Sequence, residues 1–298
     1  MAVIATGFFD GVHPGHGLVI DTLLLEARRR GEQSMIVTFW PHPRAVLQSG
    51  ADSLRYLTSR SERDRILRSL GVDEVQTVPF TRSFASRSAR GYLEMIARDF
   101  QCSCLVLGYD TRFGADQAGP SEIAAIAHEM GIGAIITPPV VIGGSPVSSS
   151  RIRAAIGFGD VVMASQLLGR PYRLYGVVVS GNKLGRRIGF PTANMKLYEP
   201  LMLIPKNGVY RTRVQVLGEW HDGMTNIGTR PTVSERDTLT IETYIFDFDE
   251  MIYGLDITVD FLERLREERK FGSLEELRAQ LCNDAVSIAA SISSRAGR

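Results

Sequence analysis

The chain has 298 residues, about twice the length of a typical single domain, with 44% hydrophobic and 22% charged residues, as expected of a globular protein with a real core. Its formal net charge of +1 argues against a nucleic-acid-binding surface, because such surfaces concentrate basic side chains. The sequence has no signal-peptide pattern and no apolar run near the roughly 18 residues of a membrane span. We therefore expect a cytoplasmic protein of two domains, without nucleic-acid or membrane partners.

The three cysteines, Cys102, Cys104 and Cys282, have neither zinc-site spacing nor the pattern of a disulfide framework. Cys102 and Cys104 alternate within an apolar run, which predicts that both side chains point to one side of a strand. Buried free thiols are typical of a reducing compartment.

The first half of the chain alternates short apolar runs with helical patterns. The predicted strands are 3–6, 34–39, 74–78, 104–108 and 133–137, and the predicted helices are 18–30, 62–70, 89–100 and 121–130. Such alternation predicts a Rossmann-like α/β domain, a parallel sheet with helices on both faces. Ligands bind at the carboxyl ends of strands in such sheets, where segments 7–16 and 108–114 fall.

The second half has a different character from about Gly169 to Tyr172 onward. Its β-rich runs, 177–180, 209–217, 238–248 and 257–261, are separated by turn dipeptides such as Asn207-Gly208. This pattern predicts a small antiparallel barrel or sandwich, followed by a helix that begins with the capping-box spacing of Ser273 and Glu276. We predict domains at residues 1–169 and 170–298.

The stretch GFFDGVHPGH (7–16) contains two histidines at the end of the first predicted strand. Pro14 suits the first turn of a helix, and it favours extended geometry at His13. His16 then lies about one turn along, so both imidazoles can face the space above the helix N-terminus. Glycines at 7, 11 and 15 leave backbone N–H groups accessible. A helix N-terminus of this kind is an anion site, and two imidazoles there suggest a phosphate whose charge grows during a reaction.

Two other interpretations of the histidine pair remain open at this point. His13 and His16 with Asp10 could bind zinc, although no further nitrogen or sulfur ligand follows at useful spacing. An isolated pair of histidines could also belong to a packed surface turn.

Three later motifs follow the first one, and all four occur in the same order as in a known family. GFFDGVHPGH resembles the G-x-F-D-G-x-H-x-G-H motif of the bacterial riboflavin kinase/FMN adenylyltransferase family, the bifunctional FAD synthetases, which are HxGH-type nucleotidyltransferases. FWPHPR (39–44), GYDTRFG (108–114) and SSSRIR (148–153) match further motifs of that family. Hydroxyl groups that begin a helix and precede an arginine form a second phosphate-binding element, although serines at helix starts are more often caps.

The resemblance implies an α/β nucleotidyltransferase domain in which the phosphate of FMN attacks the α-phosphorus of ATP and pyrophosphate leaves. No protein nucleophile is needed, so the enzyme positions the reactants and stabilises charge. His13 and His16 would act on the α-phosphate. The implied nucleotide-binding residues are Gly7, Phe8, Asp10, Gly108, Asp110, Ser148, Ser149, Ser150 and Arg153. The sequence departs from the family at Thr111, where phenylalanine is usual, and at Ser150, where threonine is usual.

The segment GVVVSGNKLGRRIGFPTANM (176–195) is the second concentration of motif residues. Its glycines do not form a Walker A motif, because Asn182 follows Gly181 and no Ser or Thr follows Lys183. A strand that leads into a Gly/Lys loop can still bind phosphate through backbone amides. Gly181, Lys183 and Gly185 are therefore candidate nucleotide-binding residues.

GFPTAN resembles the P-T-A-N signature of flavokinases, and NIGTRPT (226–232), IETYIFDFDEMIYG (241–254) and LREERKF (265–271) continue that resemblance. It implies a β-barrel domain with a C-terminal helix that transfers the γ-phosphoryl group of ATP to riboflavin. Thr192 and Asn194 would bind Mg²⁺, since residues two apart on a strand share a face and offer hard oxygen ligands. Glu242 would orient the riboflavin hydroxyl and accept its proton.

The flavin contacts implied by the same resemblance are Asn226, Arg266 and Phe271. Without its neighbours, Glu242 would be interpreted as an edge-strand charge. For Asp247, Asp249 and Glu250, solvation or turn formation is the favoured interpretation.

The two resemblances together cover nearly the whole chain and imply a bifunctional enzyme. It would phosphorylate riboflavin to FMN and adenylylate FMN to FAD, with ATP as co-substrate, Mg²⁺ as cofactor, and FMN and FAD as products. The alternatives are a chain that retains one activity and a non-catalytic flavin-binding sensor or carrier. The sequence leaves the oligomeric state open.

Overall fold

The computed structural model describes residues 1–47, 54–181, 184–230 and 238–296. The chain forms two compact units, Met1–Arg151 and Ile152–Arg298. Within the described ranges, every helix is too short or too polar to span a membrane.

The first unit is built around a parallel sheet. Its strands are β1 (Ala2–Thr6), β2 (Gln33–Trp40), β3 (Glu74–Pro79), β4 (Cys102–Gly108) and β5 (Gly133–Thr137), with a small hairpin of β6 (Val141–Ile142) and β7 (Ser145–Pro146). Its helices are α1 (Pro14–Arg30), α2 (Pro43–Leu47), α3 (Arg60–Ser69), α4 (Arg82–Ala85), α5 (Ala89–Phe100), α6 (Pro120–Glu129) and α7 (Ser149–Phe158), which continues into the second unit. The five large strands are hydrogen-bonded in the order β3-β2-β1-β4-β5. The predicted Rossmann-like sheet is confirmed.

Helices cover both faces of this sheet, and a hydrophobic cluster fills each interface. Ala2 and Ile4 of β1 belong to the cluster that contains residues of α5 and α6. Val3 and Ala5 belong to the other cluster, which contains residues of α1 and α3. Alternate residues of one strand thus pack on opposite layers, as the side-chain period of two requires.

The predicted orientation of the cysteines is wrong. Cys102 packs in the cluster with α5 and α6, whereas Cys104 packs in the cluster with α1 and α3. The cause is a register shift between Ala2 and Val3, whose partners on β4 are Cys102 and Cys104. The extra residue of a bulge reverses the alternation on one strand.

The second unit contains a closed antiparallel barrel, in the order β10-β11-β12-β9-β8-β13. Its elements are α8 (Val161–Leu168), β8 (Tyr172–Val179), α9 (Leu184–Arg187), β9 (Thr192–Leu197), β10 (Gly208–Val216), β11 (Glu219–Arg230), β12 (Thr238–Ile245), β13 (Asp256–Arg266) and α10 (Leu274–Ala296). The barrel form of the predicted β domain and its C-terminal helix are confirmed.

Alternate residues along β12 divide the barrel wall into two faces. Ile241, Thr243 and Ile245 are buried, whereas the residues between them are partly buried. The buried Thr243 hydroxyl is hydrogen-bonded to Thr225, and that of Thr225 to Thr212, each at 2.9 Å. On the other face, Tyr244 joins a cluster to which α10 contributes Leu281, Ala285 and Ile288. The C-terminal helix therefore packs on the face of the wall that also carries Glu242.

Candidate functional site

The first candidate site lies at the carboxyl ends of the parallel strands. Strands follow one another outward from β1 to β3 on one side and from β4 to β5 on the other. The strand order therefore reverses between β1 and β4, and ligands bind in the crevice that such a reversal opens. The loops that follow these two strands carry the motifs GFFDGVHPGH and GYDTRFG.

The loop after β1 brings the two histidines together at the start of α1. His13 is the N-cap, with extended backbone angles (φ −82°, ψ 169°), and its Nδ1 accepts a hydrogen bond from the His16 backbone N–H at 3.4 Å. The two imidazole rings stack with their centroids 3.7 Å apart and their planes at 16°. A Cβ on Gly15 would lie 3.1 Å from the His13 ring, so glycine makes room for this stack. Both imidazoles thus lie at the helix N-terminus, where an anion is stabilised.

The turn between Phe9 and Val12 has an unusual backbone. Phe9 (φ 55°), Gly11 (φ 80°) and Val12 (φ 39°) all have left-handed conformations. This conformation is rare for a β-branched residue such as valine, and each such residue costs about 1–3 kcal/mol. Strain of this kind persists only where surrounding contacts hold it, and it is concentrated at functional sites.

Asp10 ties this turn to the segment that precedes α3. Its buried carboxylate accepts hydrogen bonds from the backbone N–H groups of Leu57 and Thr58 at 3.0 to 3.1 Å and from the Thr58 hydroxyl at 3.2 Å. The Gly11 N–H donates to the same hydroxyl at 3.1 Å. These contacts give Asp10 a role in shaping the loop, which the motif alone did not indicate.

The serines of SSSRIR lie at the start of α7 and have different environments. The Ser148 hydroxyl accepts a hydrogen bond from the Arg151 N–H at 3.3 Å, which is the geometry of a helix cap. The Ser149 hydroxyl donates to the backbone carbonyl of Asp10 at 3.0 Å, so it contacts the histidine loop directly. Ser150 is exposed, and Arg153 is partly buried on the same helix.

The loop after β4 begins with a tight turn. The Thr111 N–H donates to the Gly108 carbonyl at 3.1 Å, and Asp110 between them is exposed. Phe113 of the same motif packs against the ring of Tyr92 at 5.0 Å between centroids, so this aromatic residue belongs to the core.

Phe8, from the loop after β1, lies partly buried with its ring 4.2 Å from that of His42. Gly7 continues β1 by a hydrogen bond to the Val37 carbonyl at 3.1 Å.

The zinc hypothesis gains no support from the donor groups around His13 and His16. The nearby carboxylate in that hypothesis was Asp10, and its oxygens already accept hydrogen bonds from Leu57 and Thr58. In the part of the chain that the structure describes, no three His, Cys, Asp or Glu side chains are placed to hold a metal ion together.

The second candidate site lies on the barrel wall around Glu242. This residue pairs in register with Asn226 of β11 and with Asn194 of β9, so the three side chains form a row on one face. Because β12 lies between β11 and β9 in a closed barrel, the interpretation of Glu242 as an edge-strand charge is wrong. The Thr192 hydroxyl lies on the same face of β9 as Asn194 and donates to Glu242 Oε2 at 3.5 Å.

A cavity of about 230 Å³, which we call the Glu242 cavity, opens beside this row. Its wall combines aromatic and aliphatic side chains with a few polar groups, which is typical of a site for a small organic ligand. The lining residues are Gly185, Ile188, Phe190, Thr192, Val209, Met224, Asn226, Glu242, Tyr244, Arg266, Glu268, Arg269, Phe271, Leu277 and Leu281. The structure thus brings the three predicted flavin contacts and Glu242 together.

Arg266 is held in the wall of this cavity by an acid of the C-terminal helix. Its guanidinium makes hydrogen bonds to both carboxylate oxygens of Asp284, at 2.8 to 3.1 Å, and lies 5.9 Å from the Phe271 ring. Both side chains of the ion pair are largely buried. Gln280, one turn earlier on α10, donates to Asp284 at 2.7 Å.

A second cavity, of about 380 Å³, also borders Thr192 and is called the Arg186 cavity here. It is lined by Val178, Arg186, Pro191, Thr192, Ala193, Thr243, Ile245, Phe248, Asp249, Glu250, Met251, Ile252 and Tyr253. Thr192 lines both cavities. The two cavities therefore approach each other at this side chain.

The glycine loop before β9 is described only in part. A Cβ on Gly181 would lie 2.3 Å from Nδ2 of Asn194, so the loop backbone packs directly on that side chain. The Gly185 carbonyl accepts a hydrogen bond from the Phe190 N–H at 2.9 Å. Lys183, a predicted phosphate ligand, lies outside the described residues.

Sequence reasoning missed two residues of the second site, Arg186 and Asp284. The acidic residues that follow β12 are as the sequence pattern favoured, since Asp247, Asp249 and Glu250 are exposed and Asp247 lies in a turn, although Asp249 and Glu250 also border the Arg186 cavity. Arg186 follows Gly185 in the motif segment and could have been found there. The sequence did not indicate a role for Asp284, because an acidic residue in an amphipathic helix is normally expected to be solvated.

Comparisons with known proteins agree with the division into two sites. Residues 1–151 match the family model described as FAD synthetase, and residues 168–292 match the riboflavin kinase model. The bifunctional riboflavin kinase/FMN adenylyltransferase of Listeria monocytogenes is 38% identical over 282 residues, which cover 95% of this chain and 90% of that protein. The protein of the same description from Escherichia coli is 37% identical over 288 residues, with the same coverage.

A solved structure from Streptococcus pneumoniae, described as a macrolide-efflux protein, superimposes with a TM-score of 0.90 at 32% identity and covers 97% of this chain and 94% of that one. The motif residues, the two matched family models and the curated relatives all lead to one assignment. The chain belongs to the family of bifunctional riboflavin kinase/FMN adenylyltransferases.

Proposed function

We propose that this chain phosphorylates riboflavin to FMN and then adenylylates FMN to FAD, with ATP as the donor in both steps. The observation that carries the proposal is that each compact unit assembles its own set of motif residues. The first gathers the histidine pair and Ser149 around one loop. The second gathers the flavin candidates around Glu242.

In the kinase step, riboflavin occupies the Glu242 cavity and ATP the Arg186 cavity, and the transferred phosphoryl group passes beside Thr192. Asn226, Arg266 and Phe271 contact the flavin. The Glu242 carboxylate orients the ribityl hydroxyl and accepts its proton as the oxygen–phosphorus bond forms. Gly181, Lys183 and Gly185 contribute backbone groups toward the ATP phosphates.

The donor set beside Glu242 fits Mg²⁺. Thr192 and Asn194 present a hydroxyl and an amide oxygen on one face of β9, and Mg²⁺ prefers oxygen ligands completed by phosphates and water. The ion, when bound, neutralises charge on the phosphates. Thr192 and Asn194 would hold it, while Glu242 remains available to the alcohol.

In the adenylyl-transfer step, an oxygen of the FMN phosphate attacks the α-phosphorus of ATP. The bond from that phosphorus to the bridging oxygen breaks, and pyrophosphate leaves with the electron pair. His13, His16 and the N-terminus of α1 stabilise the negative charge that develops on the α-phosphate. Ser148, Ser149, Ser150 and Arg153 hold the β- and γ-phosphates, and Gly7, Phe8, Asp10, Gly108 and Asp110 shape the loops around the nucleotide.

The test is a product assay with riboflavin, ATP and Mg²⁺, in which chromatography separates riboflavin, FMN and FAD. The wild-type chain should make both products. His16→Ala should reduce FAD formation about 100-fold or more while FMN still forms. Glu242→Gln keeps the shape but removes the proton acceptor, so FMN formation should fall about 100-fold or more, while supplied FMN is still converted to FAD.

Matched controls use the same substitutions at exposed positions. His128→Ala on α6 and Glu219→Gln at the start of β11 should leave both rates unchanged. A chain that binds flavins but forms neither product would be a sensor or carrier, and a chain that forms only one product would retain a single activity. Either result contradicts the proposal.

A further inference from the structure

An arginine in the first turn of α3 has unusual surroundings. The side chain of Arg63 is 0% exposed. Among the described residues, none accepts a hydrogen bond from Nε or from either terminal nitrogen of its guanidinium. A carboxylate oxygen of Asp64 lies 3.9 Å from Nε, beyond hydrogen-bond distance. Burial accordingly lowers the pKa of Arg63 from its ordinary value.

The fold alone gives no reason for a guanidinium at this position. A buried charge without hydrogen bonds is destabilising, and apolar replacements of buried charged groups are often neutral or stabilising. Natural sequences retain such local conflicts chiefly at functional sites. The charge of Arg63 should therefore serve the activity of the protein.

The groups next to Arg63 belong to the histidine loop. Its Cζ lies 4.4 Å from the centroid of the Phe8 ring, within the range of a cation–π contact. The carboxylates of Asp64 and, more weakly, of Asp10 in this loop attract the guanidinium and raise the pKa of Arg63 against the effect of burial. The cation therefore acts on the two residues that flank Phe9, the first residue of the strained turn.

We propose that Arg63 is a positioning residue for adenylyl transfer, which holds the strained turn from Phe9 to Val12 in the form that stacks His13 on His16. It acts through Phe8 and Asp10 and does not touch the substrate. This inference rests on the function proposed for the histidine loop. An apolar side chain would fill the same space without holding the loop.

The test compares Arg63→Met with Arg63→Lys in the full-length chain. Arg63→Met should have a Tm at or above that of wild type, because it removes a buried guanidinium that has no hydrogen bonds among the described residues. Its kcat for converting FMN to FAD should fall about 10-fold or more, because a small misplacement of reacting groups is costly, while KM for FMN changes little. Arg63→Lys retains a cation beneath Phe8 and should recover part of that kcat, whatever its Tm.

Two internal controls separate a positioning role from a structural one. Riboflavin kinase activity of the same variant should be unchanged, and Arg65→Met, the same substitution at an exposed position of α3, should affect neither activity. If Arg63→Met lowers Tm and both activities together, the residue is structural and the inference is wrong. The inference is also wrong if the lysine variant is no better than the methionine variant.

A parallel measurement on His16→Ala distinguishes this inference from the proposed function. If His16→Ala abolishes FAD formation and Arg63→Met does not, only the role of Arg63 is overturned. If His16→Ala leaves FAD formation intact, the histidine loop is not the site, and both conclusions fail.

Discussion

Single side chains in the second unit are placed by strand register. Thr192 and Asn194 are two residues apart on β9, and the register sets Asn194 opposite Glu242, while the Thr192 hydroxyl reaches the same carboxylate. Three oxygen-bearing side chains from two strands therefore meet on one face. A rigid barrel wall holds such a set more precisely than a loop does, which suits the coordination of a small cation.

The metal role of these residues can be tested by titration. Thr192→Ala and Asn194→Ala should each raise the Mg²⁺ concentration required for half-maximal kinase rate by roughly 10-fold or more, since each removes one oxygen ligand. Thr192→Ser keeps the hydroxyl and should behave as wild type. The Mg²⁺ dependence of FAD formation from FMN should not change in any of these variants. Superimposable kinase titration curves for the alanine variants and wild type would remove both residues from the metal site.

At the scale of single residues, the sequence predicts the position of a side chain when the residues it contacts are close to it in the chain. The stacking of His13 with His16 depends on a helix that begins at Pro14, and a helix start is a local property. The hydrogen bonds of Asp10 join it to Leu57 and Thr58, far along the chain, and no local pattern indicates them. Arg63 lies in the polar segment RSERDRILRS, where a solvated side chain is the natural expectation, and only the tertiary fold buries it.

Among the elements, the C-terminal helix contributes both packing and chemistry to the second site. Leu281, Ala285 and Ile288 pack against the barrel wall, so the helix is anchored beside the Glu242 cavity. Asp284 lies on the same side of the helix and carries the charge that pairs with Arg266. Packing of the helix therefore fixes the position of a guanidinium in the wall of the Glu242 cavity.

Asp284→Asn tests this link between helix and cavity. The substitution removes the negative charge but keeps the shape and one acceptor, so Arg266 loses its orientation without the loss of helix packing. We expect KM for riboflavin to rise about 10-fold, equivalent to about 1.4 kcal/mol, with kcat within about 2-fold of wild type. FAD formation from supplied FMN should be unaffected.

The control for this variant is Glu275→Gln, an equal change of charge at an exposed position of the same helix. It should leave KM for riboflavin unchanged. Equal KM values for Asp284→Asn and wild type would show that Arg266 needs no partner or that it does not contact the flavin.

Element prediction succeeded where periodicity is regular and failed where a bulge intervenes. The predicted β-rich run 238–248 contains β12 (Thr238–Ile245), in which Glu242 and Thr243 lie on opposite faces. The rule of alternation predicts one face for Cys102 and Cys104, and it fails because the register between β1 and β4 shifts by a residue. Such a shift depends on how two distant strands pair, so one strand's sequence does not reveal it.

At the scale of the whole molecule, the two compact units follow one another along the chain in the same order as the two sets of motifs. Each unit has its own hydrophobic core. The domain boundary expected from the sequence, after residue 169, is still a prediction. In the structure the chain divides into its two compact units between Arg151 and Ile152, so α8 belongs to the barrel unit. This helix packs against β8 and β13 and buries Val161, Ala164, Leu167 and Leu168.

A fragment that begins at Ile152 should therefore fold alone and convert riboflavin to FMN, without forming FAD. A fragment that begins at Arg170 lacks α8 and its four buried apolar side chains. Since each larger one contributes about 1.5–3 kcal/mol and a domain has only about 5–15 kcal/mol of net stability, the shorter fragment should melt at a clearly lower temperature. Thermal unfolding followed by circular dichroism and the flavin product assay measure both effects, with Glu242→Gln in the longer fragment as the inactive control. A folded but inactive longer fragment would mean that the kinase requires residues of the first unit, and equal melting temperatures would mean that α8 contributes nothing to the barrel's stability.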